Sequence, residues 1–307
     1  LIGERLLSTP LHYAYLKISE GCNRTCAFCA IPLMRGRHTS KTIGDIVREA
    51  EGLVRMGVKE IMLIAQELTY YGLDIYRKRA LPDLLNRLAD IQGLEWIRLH
   101  YAYPSKFPLE IIDVIRDRDN ICKYLDMPLQ HASDPMLLAM RRQITRSEMT
   151  DLIQAIREKI PGICLRTTLI AGFPGEKEED VEVLKEFLQE QRFDRVGIFT
   201  YSHEEGTGAF NLTDDVPAAE KERRAQEIMA LQQEISYEKN QEKIGKIFRT
   251  LIDKKEAGRY IGRTEYDSVE VDNEMIIDSS KPLAIGEFVW AKVIKAYDFD
   301  LEGIVVE

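Results

Sequence analysis

The sequence lacks a long apolar run, since no stretch reaches the roughly 18 consecutive apolar residues that a membrane-spanning helix requires. Residues 1–15 also lack the apolar centre of a secretory signal peptide, so we expect a cytoplasmic protein. Cysteine is scarce and odd in number, at five in 307 residues, which excludes a simple disulfide-stapled secreted domain. The abundant classes, 45% apolar and 30% charged residues, are typical of a soluble chain with enough core material for about two domains.

Three of the five cysteines, Cys22, Cys26 and Cys29, fall within eight residues in CNRTCAFC. A structural zinc site usually takes four protein ligands, often as paired C-x2-C units, and no second cysteine pair follows here. In an iron–sulfur cube each iron normally takes one thiolate, so three cysteines would leave one iron free to bind a small molecule. Spacing alone leaves two other interpretations open: a zinc site completed by His12 or His38, and three unpaired thiols on a loop.

The other two cysteines, Cys122 and Cys164, lie far from this group and from each other. Each stands among alternating apolar residues, where free cysteine commonly behaves as a small buried hydrophobe. We therefore assign no chemical role to either.

Short β-rich runs alternate with amphipathic helical stretches along the first two thirds of the chain. The candidate strands cover residues 14–19, 60–66, 96–102, 124–130, 164–172 and 195–201. Helices are predicted between them at 43–57, 83–93 and 179–191, and a long polar helix follows at 221–243. This alternation favours an α/β fold in which six units form a partial parallel (β/α)6 TIM-like barrel.

The sequence changes character beyond about Gly245. Short alternating strands separated by Gly, Asn, Asp and Pro turns replace the helical pattern up to the end of the chain. Such spacing predicts a small all-β antiparallel barrel.

Six blocks of the sequence resemble, in order, the radical S-adenosylmethionine (SAM) methylthiotransferase family. The blocks are ISEGCNRTCAFCAIPLMRGRH (18–38), LIAQELTYYG (63–72), RLHYAYP (98–104), MPLQHAS (127–133), LIAGFPGE (169–176) and FTYSHEEGT (199–207). They are most similar to the branch that methylthiolates the β-carbon of an aspartate in small-subunit ribosomal protein S12. The resemblance implies that residues 1–240 form a radical SAM core and residues 241–307 a TRAM β-barrel.

The resemblance also implies the cofactors. A [4Fe–4S] cluster would be held by Cys22, Cys26 and Cys29, and its open iron would chelate SAM; no catalytic side chain is assigned beyond these ligands. Family members carry a further N-terminal domain in which three more cysteines hold a second [4Fe–4S] cluster. Because the chain begins at Leu1 without such a stretch, we expect a fragment that cleaves SAM but does not complete sulfur insertion.

Contacts to SAM are implied where candidate strands end. Gly172 and Gly175 in AGFPGE would approach the cofactor closely, although the segment also fits a strand-to-helix turn with Glu176 in the first helical turn. Gln130 and Ser133 in PLQHAS would hydrogen-bond its polar groups, with a helix N-cap as the alternative role of Ser133.

Three more residues complete the implied cofactor site. Gln66 and Glu67 end the second candidate strand, and the active site of such a barrel lies at the carboxyl ends of its strands. Arg166 lies in an otherwise apolar strand and would pair either with the SAM carboxylate or with a neighbouring acid.

The charge of the C-terminal region separates the possible substrates. Residues 241–307 hold ten basic and fourteen acidic side chains, a net −4 within a chain of net −9. An acidic barrel would repel RNA and suits a basic ribosomal protein, unless the charge serves only solubility. We expect ribosomal protein S12 and a reducing electron donor as partners, with no membrane and no nucleic acid bound through the barrel. A tRNA adenosine methylthiotransferase and a non-catalytic zinc-loop module remain as alternatives.

Overall fold

The computed structural model describes residues 7–306. In chain order its strands are β1 (Tyr13–Lys17), β2 (Ser19–Glu20), β3 (Thr39–Ser40), β4 (Glu60–Ile64), β5 (Trp96–Leu99), β6 (Ile121–Asp126), β7 (Cys164–Ala171), β8 (Arg195–Thr200), β9 (Ile247–Glu256), β10 (Arg259–Thr264), β11 (Met275–Asp278), β12 (Phe288–Ala296) and β13 (Leu301–Val306). The helices are α1 (Ile31–Arg35), α2 (Ile43–Arg55), α3 (Leu81–Ala89), α4 (Glu110–Asp117), α5 (Asp134–Ala139), α6 (Arg146–Lys159), α7 (Glu178–Gln191) and α8 (Ala218–Gln241). None of these helices is both long enough and apolar enough to cross a lipid bilayer.

The first part of the chain forms the predicted parallel sheet. Its six strands lie in the order β1-β4-β5-β6-β7-β8, and every neighbouring pair is parallel. A parallel sheet needs a long crossover between neighbouring strands, and α2, α3, α4, α6 and α7 supply these crossovers. The predicted α/β class with a partial (β/α)6 barrel is confirmed.

Helix α2 shows why the sequence folds locally as predicted. The Thr42 side chain accepts a hydrogen bond from the Asp45 backbone N–H and caps the helix at its N-terminus. Ile46 and Leu53 lie on its buried face. The helix stops at Arg55 rather than at the predicted residue 57, because Gly57 adopts a φ of +104°, which is incompatible with helix.

The fourth predicted strand, residues 124–130, is misplaced. Strand β6 begins at Ile121 and ends at Asp126. Pro128 has no backbone N–H for a ladder, and Gln130 touches the sheet only through an isolated bridge to Leu169. The third predicted strand, 96–102, is also too long, since β5 ends at Leu99.

The C-terminal part forms the predicted all-β barrel. Helix α8 leads into five strands that close in the order β10-β11-β13-β12-β9. Their pairings are antiparallel apart from β11 with β13, which is parallel. A separate cluster of buried side chains, including Ile252, Met275 and Val293, fills the barrel.

The barrel contacts the parallel sheet through the docking loop, defined here as residues 265–273 between β10 and β11. The Arg98 guanidinium donates to the Glu265 carbonyl oxygen at 2.7 Å, and the Tyr124 hydroxyl donates to the Asp272 carboxylate at 2.7 Å. Arg195, the first residue of β8, pairs with buried Asp267. The docking loop also reaches the end of β5, since the Ser268 hydroxyl lies 3.0 Å from Nε2 of His100, the residue that follows that strand.

Candidate active site

The cysteine loop, defined here as residues 21–38, leaves the parallel sheet just after β1. Its two ends are held together by the short antiparallel pair of β2 and β3. The Cys22 backbone N–H donates to the Gly36 carbonyl at 3.2 Å, and a Cβ on Gly21 would lie only 2.3 Å from the Arg37 carbonyl oxygen. Gly21, at φ +76°, therefore permits the close backbone approach that shapes the loop.

The three thiols of this loop differ in burial, and none forms a disulfide. Cys22 is buried, whereas Cys26 and Cys29 are half-buried. Burial raises the pKa of Cys22 to about 11 and also raises that of Cys29. As free thiols, Cys22 and Cys29 would stay protonated near neutral pH, so a bound cation must stabilise their thiolates if they act as ligands.

The surroundings of Cys26 fit a negatively charged metal group. Arg142 is buried, and its Nη1 lies 3.1 Å from the Cys26 Sγ. Its Nε has no hydrogen-bond partner among residues 7–306. A buried cation is costly unless an anion balances it, so the site calls for negative charge at the sulfur.

A mononuclear zinc site on this loop has less support. His12 stands before β1, at the opposite end of the strand from the loop, and its Nε2 lies 2.9 Å from the Asp253 carboxylate. His38 is buried in the loop with its Nε2 at 3.2 Å from the Ser40 hydroxyl. Within the described part of the chain, no three His, Cys, Asp or Glu side chains are grouped to hold a single metal ion.

Two arginines and a tyrosine that sequence reasoning missed pack beneath the thiols. The guanidinium carbons of Arg24 and Arg142 lie 3.8 Å and 4.3 Å from the centroid of the Tyr103 ring. The Tyr103 hydroxyl donates to the Arg142 carbonyl oxygen at 2.7 Å and lies 3.8 Å from the Cys26 sulfur. Tyr103 stands in one of the resembling blocks, but no spacing signal could connect Arg142 with a cysteine 116 residues away.

Of the two residues predicted after β4, Gln66 keeps free bonding capacity and Glu67 does not. Gln66 donates to the Glu20 carboxylate at 3.2 Å, while its buried Oε1 accepts no hydrogen bond from any described residue. Glu67 is buried; its carboxylate accepts from the Thr69 N–H at 2.6 Å and from Arg24 at 3.2 Å. The structure thus gives Glu67 a role in fixing the loop.

The PLQHAS segment places its two predicted residues differently. Gln130 adopts a φ of +79°, and its backbone bonds to Thr168 and Ile170 beside β7. Ser133 is buried and stands at the N-cap position of α5, but its side chain makes no capping bond. Its hydroxyl donates to the Asp180 carboxylate instead, so Ser133 takes the predicted alternative N-cap position without a side-chain capping bond.

Arg166 pairs with neighbouring acids, which is one of the two roles that the sequence left open for it. Its Nη1 lies 3.2 Å from the Asp126 carboxylate on β6, and its Nε lies 3.2 Å from the Asp272 carboxylate of the docking loop. Two carboxylates thus neutralise a single guanidinium, which leaves no net positive charge for a further carboxylate.

The two predicted glycines both use left-handed backbone, with φ values of +78° at Gly172 and +80° at Gly175. The Gly172 N–H donates to the Glu176 carboxylate at 2.9 Å, and the Gly175 N–H donates to Asp215 at 2.7 Å. A Cβ on Gly172 would lie 2.1 Å from the Lys221 side chain, so the close approach observed there is to α8.

Glu176 is not in the first helical turn, because α7 begins only at Glu178. Its carboxylate is buried and also accepts from Arg224 at 3.0 Å. Glu176 therefore connects the glycine turn to α8, whereas the sequence interpretation had placed it in the first turn of the following helix.

The topology brings the predicted groups to one edge of the sheet. The cysteine loop follows β1, Gln66 follows β4, Gln130 follows β6 and Gly172 follows β7, each at the carboxyl end of a parallel strand. The loops also touch one another, since the Ala27 N–H donates to the Met140 carbonyl at 2.9 Å. This is the edge at which barrels of parallel strands carry their active sites.

Comparison with known proteins gives matches along most of the chain. The model of the radical SAM superfamily matches residues 16–188, and that of the TRAM domain matches residues 244–306. The chain is 58% identical over 304 residues to the ribosomal protein uS12 methylthiotransferase RimO of Flavobacterium psychrophilum, covering 99% of this chain and 70% of that protein. The Flavobacterium johnsoniae protein of the same name is 57% identical, with the same coverage.

Among solved structures, the fold is similar to coproporphyrinogen III oxidase (HemN) from Escherichia coli, a radical SAM enzyme. The TM-score is 0.54 at 21% identity, covering 75% of this chain and 54% of that one. At this identity the likeness extends to the fold alone.

Proposed function

The chain belongs to the radical SAM superfamily and, within it, to the RimO family of methylthiotransferases, and on that premise we propose that it methylthiolates the β-carbon of an aspartate in ribosomal protein S12. The observation that carries this proposal is the 58% identity to a uS12 methylthiotransferase over 99% of the chain. Because S12 is a cytoplasmic substrate, the proposal includes a cytoplasmic location. The zinc-loop module is discarded, because the family consists of enzymes.

The family implies a [4Fe–4S] cluster and SAM, and we propose that Cys22, Cys26 and Cys29 hold the cluster. Three thiols on one loop, above a buried arginine without a carboxylate partner among the described residues, fit such a group. Together the bound cofactors would supply one-electron cleavage of a carbon–sulfur bond of the SAM sulfonium, which gives a carbon radical reactive enough to abstract hydrogen from an unactivated carbon. A low-potential one-electron donor is a necessary partner, and the proposal keeps the second [4Fe–4S] cluster that the family resemblance assigns to a further N-terminal domain.

The side chains divide into direct contacts and supports. We propose that Gln66, whose Oε1 is free of partners among residues 7–306, and Gln130 accept hydrogen bonds from polar groups of SAM. Glu67 and Ser133 are committed to Arg24 and Asp180, so in the proposal they position the surrounding loops.

The remaining predicted cofactor residues, Arg166, Gly172 and Gly175, are assigned to shaping the floor and wall of the site. Arg166 is neutralised by two aspartates, and both glycine N–H groups already donate to carboxylates. Contact with SAM at the glycines would therefore involve their Cα or carbonyl groups rather than their amides.

The charge argument for a protein substrate is weaker than the sequence suggested. Of the barrel's fourteen acids, Asp267 and Asp272 are committed to Arg195 and Arg166 of the core, and Asp253 pairs with His12. The barrel's Arg263 and Arg249 pair in turn with Glu60 and Glu95 of the core, so charges of both signs meet at this contact and the net charge of the barrel does not identify a substrate surface. The choice of S12 over tRNA consequently rests on the relatives.

A deuterium-transfer experiment tests the substrate without requiring sulfur insertion. Anaerobically reconstituted protein is given SAM, a reductant and S12 whose aspartates are deuterated at the β-carbon, with tRNA in a parallel reaction. We expect deuterium in the 5′-deoxyadenosine formed with S12, and none with S12 when Cys26→Ala replaces the wild type. Hydrogen taken from tRNA adenosine, with no deuterium from S12, would refute the proposal.

A further inference from the structure

Arg142 is a buried cation that the cluster-binding motif does not include. It lies between α5 and α6 and is 4% exposed. Its Nη1 lies 3.1 Å from the Cys26 sulfur, and its Nη2 donates to the Pro128 carbonyl oxygen. The third guanidinium nitrogen, Nε, is buried without a partner in the described structure.

Arg24 provides an internal comparison on the same aromatic ring. Both guanidiniums lie against Tyr103, but Arg24 forms an ion pair with buried Glu67 at 3.2 Å. Arg142 has no carboxylate at ion-pair distance among residues 7–306, and its hydrogen bonds go to a sulfur and a carbonyl. Its positive charge is therefore available to interact with whatever charge develops at Cys26.

The backbone holds Arg142 in this position. Its neighbours Arg141 and Gln143 both adopt left-handed backbone, with φ values of +57° and +56°. The Arg142 carbonyl accepts from the Tyr103 hydroxyl at 2.7 Å, and the Arg142 N–H donates to Leu137 at 2.9 Å. Two unfavourable non-glycine conformations around one residue are retained only where the surroundings fix them, as at functional sites.

We propose that Arg142 raises the reduction potential of the cluster held by Cys22, Cys26 and Cys29, through a charge-assisted N–H···S hydrogen bond to Cys26. This inference rests on the proposed cluster. An electron entering the cluster adds negative charge that spreads onto the thiolate sulfurs, and hydrogen bonds to those sulfurs are a known control of potential. A fixed positive charge 3.1 Å away stabilises the reduced state more than the oxidised state.

The proposed effect changes no covalent bond. A low-potential donor would lose one electron and the cluster would gain it, and no bond of the Arg142 side chain is made or broken. Arg142 is thus a positioning and tuning residue that acts on the reaction through the cluster.

The test compares Arg142→Met with a matched control, Arg141→Met. Arg141 is the adjacent residue, carries the same type of side chain and is exposed. Iron and sulfide content and the EPR spectrum of the wild type first establish the cluster. A reductive titration monitored by EPR then gives the midpoint potential of each variant, a readout independent of enzyme turnover.

For Arg142→Met we expect a more negative midpoint potential. At the potential where the wild-type cluster is half reduced, the ratio of reduced to oxidised cluster should fall at least tenfold in the variant. A tenfold change corresponds to a shift of the midpoint potential of about 59 mV for a one-electron couple. Arg141→Met should match the wild type. A fully loaded Arg142→Met protein with the wild-type midpoint would overturn the proposal.

Two further variants decide the outcome if Arg142→Met does not assemble a cluster. Arg142→Lys keeps the positive charge, so its ratio of reduced to oxidised cluster should stay within about threefold of the wild-type ratio. Arg142→Gln is neutral and should lower this ratio, as Arg142→Met does. A wild-type midpoint in the glutamine variant, or a lysine variant as shifted as the glutamine variant, would refute the role of the charge. A wild type without any iron–sulfur cluster would refute the proposed function itself.

Discussion

The most quantitative prediction concerns Glu60, a fully buried carboxylate at the contact between sheet and barrel. It accepts from the Arg98 Nε at 2.8 Å and lies 2.6 Å from an Nη of Arg263 on β10. Burial alone would raise the pKa of Glu60, but the attraction of Arg263 and Arg98 outweighs it and lowers the pKa from 4.5 to about 2. A shift of this size corresponds to roughly 3 kcal/mol of stability that depends on ionisation.

The sign of the pH dependence follows from the lowered pKa. The contribution is fully present above the unfolded value of 4.5 and is lost as the pH falls toward about 2. Urea unfolding of wild type and Glu60→Gln should therefore differ by about 3 kcal/mol at pH 7 and by roughly 2 kcal/mol less at pH 3.

A matched control comes from the exposed pair of Glu95 and Arg249, which also joins sheet and barrel, at 2.7 Å. Because both side chains are more than a third exposed, Glu95→Gln should cost less than about 1 kcal/mol at either pH. If Glu60→Gln were as mild as Glu95→Gln, or equally destabilising at pH 7 and pH 3, the reasoning would be refuted.

Three further predictions follow from local geometry. Gly172→Ala should destabilise the protein by at least about 2 kcal/mol, because the added Cβ would overlap the Lys221 side chain. Gly175→Ala should cost only the roughly 1 kcal/mol of placing alanine in a left-handed backbone conformation, because no atom lies within 4 Å of its Cβ. Equal melting temperatures of the two variants would contradict this difference. Ser133→Ala should lower the free energy of unfolding by about 1–3 kcal/mol, because the Asp180 carboxylate loses a buried donor, and chemical denaturation measures this loss. Cys26→Ala should abolish cluster binding, measured as iron content, while the circular dichroism spectrum stays unchanged because the side chain is only half-buried.

The sequence predicted the fold well because its strongest signals are local. Alternating strand and helix patterns were sufficient for the parallel sheet, and the change of pattern after Gly245 was sufficient for the barrel. Strand ends were less well predicted, as at β6, because residues 127–129 remain apolar after the chain has left the hydrogen-bonded ladder. The burial of Cys122 and Cys164 on β6 and β7 was predicted correctly for the same local reason.

The candidate site was predicted only in part because it depends on contacts between distant residues. The cysteine loop is a local motif, and parallel strands bring the other predicted residues to the same edge. The partners of Arg166, Glu67 and Ser133 come from other elements, and no spacing rule could identify them. The expectation drawn from the charge of the barrel stays a prediction for a similar reason, since its sequence does not show which acids face the core.

The most direct test of the account is an anaerobic iron and sulfide analysis combined with EPR spectra of the reduced protein before and after SAM is added. We expect about four irons and four sulfides per three-cysteine site, and a spectrum that changes on addition of SAM because one iron would have no protein ligand. Stoichiometric zinc without iron, or an intact cluster whose spectrum does not respond to SAM, would contradict it.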